Sequence, residues 1–392
     1  MDRLPTIAIL VVAVVVTLPA GVAGSVGTQQ ADLSGGPQAA VDCQFPMTVT
    51  DGTGTEVTVD EEPQEVVALG PSAARTLWAI GAQDKVVGMP VNQYTAGLPG
   101  AEEKANVVGE DGVPVQEKVL GAQPDLVLAP NIIRPQTVEN LREAGLTDYY
   151  FNDSTSMADV AAKTELTGRL VGEFDAAASA AAETRGQTAA IQNAVAGTEG
   201  PRAYYVLGGS YSAGNGTFIH DLITTAGARN IVAEAGISGY KPVNAEVLVE
   251  RDPEVLVVPE GTPLPSNDAI NGTTAVQEGN IVRVNANFIN QPSPATRTVL
   301  RNLTRELHPD AYASIDFEAV ESPEQTVCQA DVTTETPTAT ETATDGGPTA
   351  TETQRGDDST ATPTATPGAS GPGFTAGLAL VAIGALVLLG RQ

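Results

Sequence analysis

The chain reads as an α/β protein of two lobes with mainly parallel sheets, joined by one long α-helix, and three observations carry that expectation. A segment occurs twice, as PVQEKVLGAQPDLVLAP over residues 114–130 and as PVNAEVLVERDPEVLVVP over residues 242–259. In both copies a glutamate, Glu117 or Glu246, stands seven residues before a proline that is followed by an acid and an apolar run. A second pair answers across the chain, LWAIGAQDKVV at 77–87 and LITTAGARNIV at 222–232. Between the copies, residues 156–196 hold no proline and are rich in Ala, Glu, Gln and Leu. Duplicated units at matched spacing point to two halves built on one plan. Strand, helix and strand in alternation then give parallel, Rossmann-like sheets.

The lobes are expected at residues 45–155 and 197–330, with the connecting helix at 156–196. MTVTDGTGTEVTV alternates apolar and polar residues around Asp51-Gly52-Thr53-Gly54, a β-hairpin signal. After Pro63, residues 66–69 form an apolar strand, Gly70-Pro71-Ser72 a turn, and residues 73–80 a helix closed by Gly81 in a left-handed cap. Trp78, inside that helix, belongs to the core, and residues 86–88 give another short strand. Proline lacks an amide donor and restrains its predecessor, so Pro124 and Pro253 end the two glutamate-bearing helices. The apolar runs 126–128 and 255–258 that follow read as buried parallel strands. In the connector, Leu166, Leu170, Phe174, Ala178 and Ala181 recur at helical spacing. About 40 helical residues span roughly 60 Å, enough to bridge both lobes stiffly and allow only modest lobe motion. The second lobe repeats the plan: strand 203–207, glycine-rich loop 208–216, helix 217–226, Gly227 as cap, and a strand at Ile231-Val232.

The two ends stand outside this fold. Residues 1–24 read as a signal peptide, with Arg3, an apolar stretch and the small residues Val22-Ala23-Gly24. Cys43 does not follow a lipobox. Residues 331–370 are Thr, Pro, Ala, Glu, Asp, Ser and Gly almost throughout, a stalk too poor in apolar groups to fold. Residues 371–392 end in an apolar run that is short against the roughly 20 residues a bilayer span needs. The placement of Pro372-Gly373-Phe374 between the stalk and that run resembles the archaeal PGF-CTERM sorting signal. That resemblance implies an archaeosortase-type processing enzyme and re-anchoring through lipid on the extracellular face of the cell membrane. A plain C-terminal membrane helix is the alternative. Forty-eight acids against twenty bases give a formal net charge of −28. Such a surface argues against nucleic acid partners and resembles haloarchaeal proteins that stay hydrated in high salt. Cys43 and Cys328 bracket the folded region, which in an exported protein points to a disulfide closing a very long loop, about 4–5 kcal/mol by chain entropy. Two unpaired buried thiols are the alternative.

Over residues 47–327 the chain resembles the class III substrate-binding proteins of ABC importers, which serve cobalamin, iron-siderophore and haem uptake. The resemblance is carried by VVALGPSAARTLWAIGAQDKVVGM, VQEKVLGAQPDLVLAPN, the central helical stretch, GNGTFIHDLITTAGARNIV and PVNAEVLVERDPEVLVVPEG. It implies that Glu117 and Glu246, one at the tip of each lobe, dock onto arginines of a permease dimer. Exposed ion pairs add only about 0–1 kcal/mol each and are screened in high salt, so these glutamates set register more than affinity. Ordinary helix-surface acids are the bland alternative. The ligand is expected between the lobes, at loops on the carboxyl ends of the strands. Tyr240 stands where relatives that bind corrins place an aromatic, and Tyr94, Asn131, Tyr211 and Phe288 lie on comparable loops. For each of them ordinary loop packing competes. Near Pro292-Ser293-Pro294, where relatives carry arginine, this chain has Asn290, Gln291 and Ala295. With Arg134 the main cation on such loops, a near-neutral, amide-rich ligand such as cobalamin is favoured over a ferric siderophore or haem.

Three rival readings compete with this one. An enzyme would need machinery this chain lacks: it has no HExxH, GxSxG or P-loop, and its only histidines are His220, read as structural, and His308. No metal site and no cofactor are expected, because two isolated histidines do not make a zinc or manganese receptor. A glycosylated structural surface protein would use the sequons at Asn152, Asn215, Asn271 and Asn302, but does not account for the duplicated lobes.

Overall fold

The computed structural model describes residues 43–320 and 327–328; the expected signal peptide, the stalk, and Pro372, Gly373 and Phe374 lie outside these residues. The first lobe opens with the expected hairpin, β1 (Met47–Thr50) antiparallel to β2 (Glu56–Val59). Its turn is organised by Asp51, whose carboxylate accepts from the Thr53 amide at 2.8 Å, the Thr53 hydroxyl at 2.6 Å and the Thr55 amide at 3.0 Å. The lobe continues with β3 (Val66–Ala68), α1 (Pro71–Ala79), β4 (Val86–Met89), β5 (Ala105–Asn106), α2 (Gln116–Gly121), β6 (Leu126–Ala129), α3 (Pro135–Glu143) and β7 (Asp148–Tyr150). The strands form one parallel sheet in the order β5-β4-β3-β6-β7. Alternate side chains serve opposite faces, which is why these strands are apolar throughout. Val66, Ala68, Leu126 and Leu128 join a core under α1. Val67, Val127 and Ala129 join another with Val119 of α2 and Val138 and Leu141 of α3. Trp78 packs half-buried against the first of these cores and donates to the Pro99 carbonyl.

The connector is not one helix. It is a pair, α4 (Met157–Val171) and α5 (Phe174–Val195), folded back on each other. Gly172, at φ +81°, ends α4 in the left-handed conformation that a side chain would disfavour. Gly168 lets the two helices approach, since a Cβ there would stand 2.1 Å from the Ala177 Cβ. The apolar period runs through the break because both helices bury a face in the same cores. Met157 and Val160 of α4 and Ile191 of α5 lie in the core of the second lobe. Leu170 and Val171 of α4 and Ala177 and Ala180 of α5 lie in that of the first. By the usual rise, α4 is about 22 Å long and α5 about 33 Å, so neither spans the 60 Å expected of one rod.

The second lobe follows with β8 (Arg202–Tyr205), β9 (Tyr211–Ala213), α6 (Phe218–Thr225), β10 (Arg229–Asn230), α7 (Ile231–Glu234), β11 (Tyr240–Pro242), α8 (Ala245–Arg251) and β12 (Val255–Pro259). Then come α9 (Asp268–Asn271), α10 (Thr274–Glu278), β13 (Ile281–Val284), α11 (Ala286–Ile289), α12 (Thr296–Leu307), α13 (Pro309–Ala313) and α14 (Phe317–Val320). Its parallel sheet runs β10-β8-β12-β13. Two details differ from the sequence expectation. Ile231 and Val232 open α7 and not a strand, because the edge strand β10 is only Arg229–Asn230 and the Asn230 side chain then caps the helix by accepting from the Val232 amide. The glycine-rich loop 208–216 contains β9, which pairs antiparallel with β11.

The duplicated segments match in backbone as well as sequence. Both glutamate helices give way to a left-handed residue directly before the proline, Gln123 at φ 51° and Asp252 at φ 39°, the two non-glycine residues of positive φ among those described. Asp252 is held there by Thr274, whose amide and hydroxyl donate to its carboxylate at 2.8 and 2.7 Å. At the margin of the fold Cys43 and Cys328 are bonded, their Cα atoms 5.7 Å apart. The Asp175 carboxylate on α5 accepts from the amides of Val327 and Cys328. A buried ion triad ties the hairpin to the first sheet: Arg142 Nη2 lies 2.5 Å from Asp51 Oδ2 and 2.8 Å from Asp148 Oδ1. Burial dominates at Asp148 and pushes its carboxyl up to about 6 despite Arg142.

Candidate functional site

In parallel sheets every strand delivers its following loop to the same, carboxyl edge, and in this chain those two edges face each other. The first lobe presents the loops after β4, β6 and β7, carrying Tyr94, Asn131 and Asp153. The second presents the β9–β11 ribbon with Tyr211 and Tyr240, and the short helix α11 directly after β13 with Phe288. In the ribbon Tyr211 pairs with Pro242 and Ala213 with Tyr240, so the register puts both tyrosines on one face.

Contacts across the seam bring several of these residues together. Asn287 Nδ2 donates to the Gln93 carbonyl at 3.2 Å. Arg75, from the middle of α1, donates through Nε to Gln291 Oε1 and through Nη2 to the Tyr94 carbonyl, both at 2.7 Å. Its guanidinium also lies over the Phe288 ring, 5.2 Å from the centroid. Tyr94 and Phe288, expected separately as ligand residues, thus share one buried cation. Arg75 is 6% exposed, and burial alone pushes its guanidinium below its ordinary value. Lys163 of α4 donates to the Pro292 carbonyl at 2.8 Å, and burial pushes its ammonium down to about 8 against a smaller upward pull from Asp159.

On the far side of the cleft Asn131 donates to the Asp153 carboxylate, and the Tyr150 hydroxyl donates to the Asn131 carbonyl at 2.9 Å. The Tyr240 hydroxyl turns toward Ile219 and Thr217 at the start of α6. Burial, with the field of Asp153 adding to it, pushes that hydroxyl up to about 12. Behind it the Tyr205 hydroxyl donates to Asn290 Oδ1 at 2.7 Å. Tyr94, Tyr211 and Tyr240 keep 42, 37 and 43% of their surface exposed, and Ile132, beside Asn131, keeps 53%. Solvent-facing aromatic and aliphatic side chains therefore stand on the loops at the facing edges of both lobes, chemistry suited to a large flat ligand.

Sequence reasoning missed Arg75, Ile132 and Asp153. Arg75 gave no signal, since an arginine in a short helix reads as surface. Ile132 was legible as a bulky apolar residue in a loop after a core strand. Glu117 and Glu246 are exposed and occupy the first turns of α2 and α8. Each helix packs on its sheet and runs back down before the next strand, so its first turn lies toward the carboxyl edge, on the side of the cleft loops. The Glu246 carboxylate accepts from Asn244 Nδ2 at 3.3 Å. Glu117 has no ion-pair partner among the described residues.

Comparison with known proteins agrees with this architecture. The family profile described as periplasmic binding protein matches residues 66–287. The cobalamin-binding protein of Halobacterium salinarum is 41% identical over 324 residues, covering 78% of this chain and 85% of that protein. The vitamin B12-binding protein of Vibrio cholerae is 24% identical over 245 residues, 59% of this chain and 85% of its own length. Among solved structures, CeuE of Helicobacter pylori aligns with a TM-score of 0.60 at 18% identity, covering 70% of this chain and 92% of that one. The periplasmic vitamin B12 binding protein BtuF of Vibrio cholerae aligns at 0.54 and 21% identity, covering 67% and 99%. At such identities these structures speak to the two-lobed fold alone. The profile match and the archaeal relative go further, and place the chain in the periplasmic binding protein family.

Proposed function

We propose that this chain is the receptor of an ABC importer and that its cargo is cobalamin. The observation that carries the reading is the set of exposed Tyr94, Ile132, Tyr211 and Tyr240 on the loops that face the interlobe cleft, where the exposed cations Arg134 and Lys241 stand singly, one on each lobe. The buried Arg75 donates to Gln291 and to the Tyr94 carbonyl. What the cleft loops offer a ligand is then aromatic faces, amides, the Asp153 carboxylate and two isolated cations, with no paired guanidinium groups. Such a surface stacks on a macrocycle and meets peripheral amides, whereas carboxylate-rich haem or an anionic ferric siderophore would ask for paired guanidinium groups. The 41% identical relative described as a cobalamin-binding protein supports the same choice. Calorimetric titration at constant high salt with cobalamin, haem and ferric siderophores tests it. Binding of cobalamin alone is expected, and tighter binding of haem or a siderophore overturns the cargo.

Delivery falls to Glu117 and Glu246, which flank the cleft and orient the loaded receptor on a permease dimer. Reversing both to lysine should abolish cobalamin uptake while leaving affinity within about twofold, because exposed charges at that distance contribute little to a buried ligand. Lost affinity in the double variant would assign the glutamates a different role. The chain ends supply the setting: export by the signal peptide, a Thr/Pro-rich stalk that carries the receptor away from the bilayer, and a C-terminal anchor after processing at Pro372-Gly373-Phe374. Mass spectrometry of the mature protein distinguishes a lipid-linked C-terminus from an intact hydrophobic tail.

A further inference from the structure

Of the six large hydrophobic side chains exposed among the described residues, four line the cleft and two do not. Those two are Val113, 42% exposed, and Val249, 69% exposed. Val249 lies three residues after Glu246 on α8, one turn along the same helix face. Val113 lies four residues before Glu117, in the turn that leads into α2. The duplicated plan repeats the pairing, because Leu120, three residues after Glu117, is the counterpart of Val249 and is only half-buried. An exposed valine alone needs no explanation. Two, each within four residues of the corresponding glutamate of a duplicated segment, form a pattern.

Resting on the docking reading proposed above, we infer that Val249 and Val113 are apolar anchors of the permease-facing surface, each paired with its glutamate. The partner that fits is a basic residue set beside an apolar hollow, presented twice by a dimer. The physical need comes from the charge of this protein. At formal net charge −28, a surface adapted to concentrated salt meets its partner where the Debye length is about 3 Å at 1 M. A carboxylate there selects position but adds little affinity. Apolar contact is not screened and is strengthened by strongly hydrated salts. Burying one valine from water corresponds to about a tenfold change in a binding constant.

The test uses the full-length receptor loaded with cobalamin, and right-side-out membrane vesicles from source cells lacking the receptor. Vesicles from permease-deleted cells serve as the blank. Val249→Ser should weaken vesicle binding about tenfold at high salt, and Val113→Ser should add a further loss. Cobalamin affinity should stay unchanged in both, which shows that each variant is folded. Glu246→Gln gives the contrasting signature: its effect should shrink as salt rises while that of Val249→Ser grows. Wild-type binding by both serine variants at high salt overturns the anchor assignment and leaves the docking glutamates standing. Wild-type binding by the serine and the glutamine variants together places the docking surface elsewhere and overturns both readings.

Discussion

Replacing Arg75 with methionine should cost stability and cargo affinity together, because one side chain holds both walls of the cleft. The substitution keeps most of the aliphatic stem and removes two hydrogen bonds from a charged donor, each 2.7 Å long, and a cation over the Phe288 ring at 5.2 Å. Hydrogen bonds to charged groups contribute about 1.5–3 kcal/mol each and a partly desolvated cation over a ring about 1 kcal/mol. Against this, the substitution removes the desolvation that pushes the guanidinium down, so a net loss of about 2–3 kcal/mol is expected. Denaturant unfolding at constant high salt measures it, with Gln291→Met and the double variant completing a cycle. The coupling energy should be about 1 kcal/mol or more, since Arg75 and Gln291 come from different lobes and touch directly. Arg75→Lys should recover only part of the loss, for it keeps the charge but not the fork. Cobalamin affinity should fall in parallel, as the Tyr94 loop and Phe288 lose their common tether. An unchanged unfolding midpoint for Arg75→Met, or zero coupling to Gln291, would refute this account of the seam.

Three further outcomes follow from buried groups. Asp148 rises from its ordinary 3.8 to about 6 in the folded protein, so protonation favours folding and stability should fall by about 3 kcal/mol as pH rises from about 4 to 6. Asp148→Asn should flatten that slope in pH-dependent unfolding, whereas the lowered carboxyl of Asp51 acts below about pH 4, where its stabilisation is lost as acid protonates it. Lys163 falls from 10.5 to about 8, so the unfolded state binds the extra proton and stability should rise by about 3 kcal/mol between pH 8 and 10.5, a rise absent from Lys163→Met. Reducing the Cys43–Cys328 bond, which closes a loop with a sequence separation of 285, should cost about 5 kcal/mol, read as a lower unfolding midpoint with reductant and no such shift in Cys43→Ser/Cys328→Ser.

How far the sequence was legible depended on the range of the interactions involved. Turn and cap signals were local and came through: Asp51 organises its hairpin turn, and Gly81 and Gly227 adopt φ of +77° and +90° at the helix ends where they were expected. Buried parallel strands were legible because both faces are covered, leaving apolar runs. The helix break at Gly172 was hidden because the apolar spacing continues across it, and an interior glycine alone does not distinguish a tolerated residue from a stop. Gly168 four residues earlier marks the close helix contact that could have been weighed. The β9–β11 ribbon was invisible, since its strands are short and are separated in sequence by α6, β10 and α7, with pairing set by tertiary contact. Tyr94, Tyr211, Tyr240, Asn131 and Phe288 could be assigned to cleft-side loops of the candidate site by counting loops after strands. Arg75 was not, because only the folded chain shows that a cation on α1 reaches a carbonyl 19 residues away and an amide 216 away.

The helical pair α4 and α5 also bears on how the molecule can be divided. The polypeptide leaves the first lobe after β7, begins α4 in the core of the second, returns along α4, and crosses again along α5. Each lobe therefore borrows part of its interior from residues that the other also uses. A fragment beginning at residue 197 would lack Met157, Val160 and Ile191 and leave Phe218, Ile219 and Leu222 without their cover. The duplicated halves share an ancestry of pattern but no longer an independent existence: they should unfold in one transition, and neither half should be recoverable alone as a soluble domain.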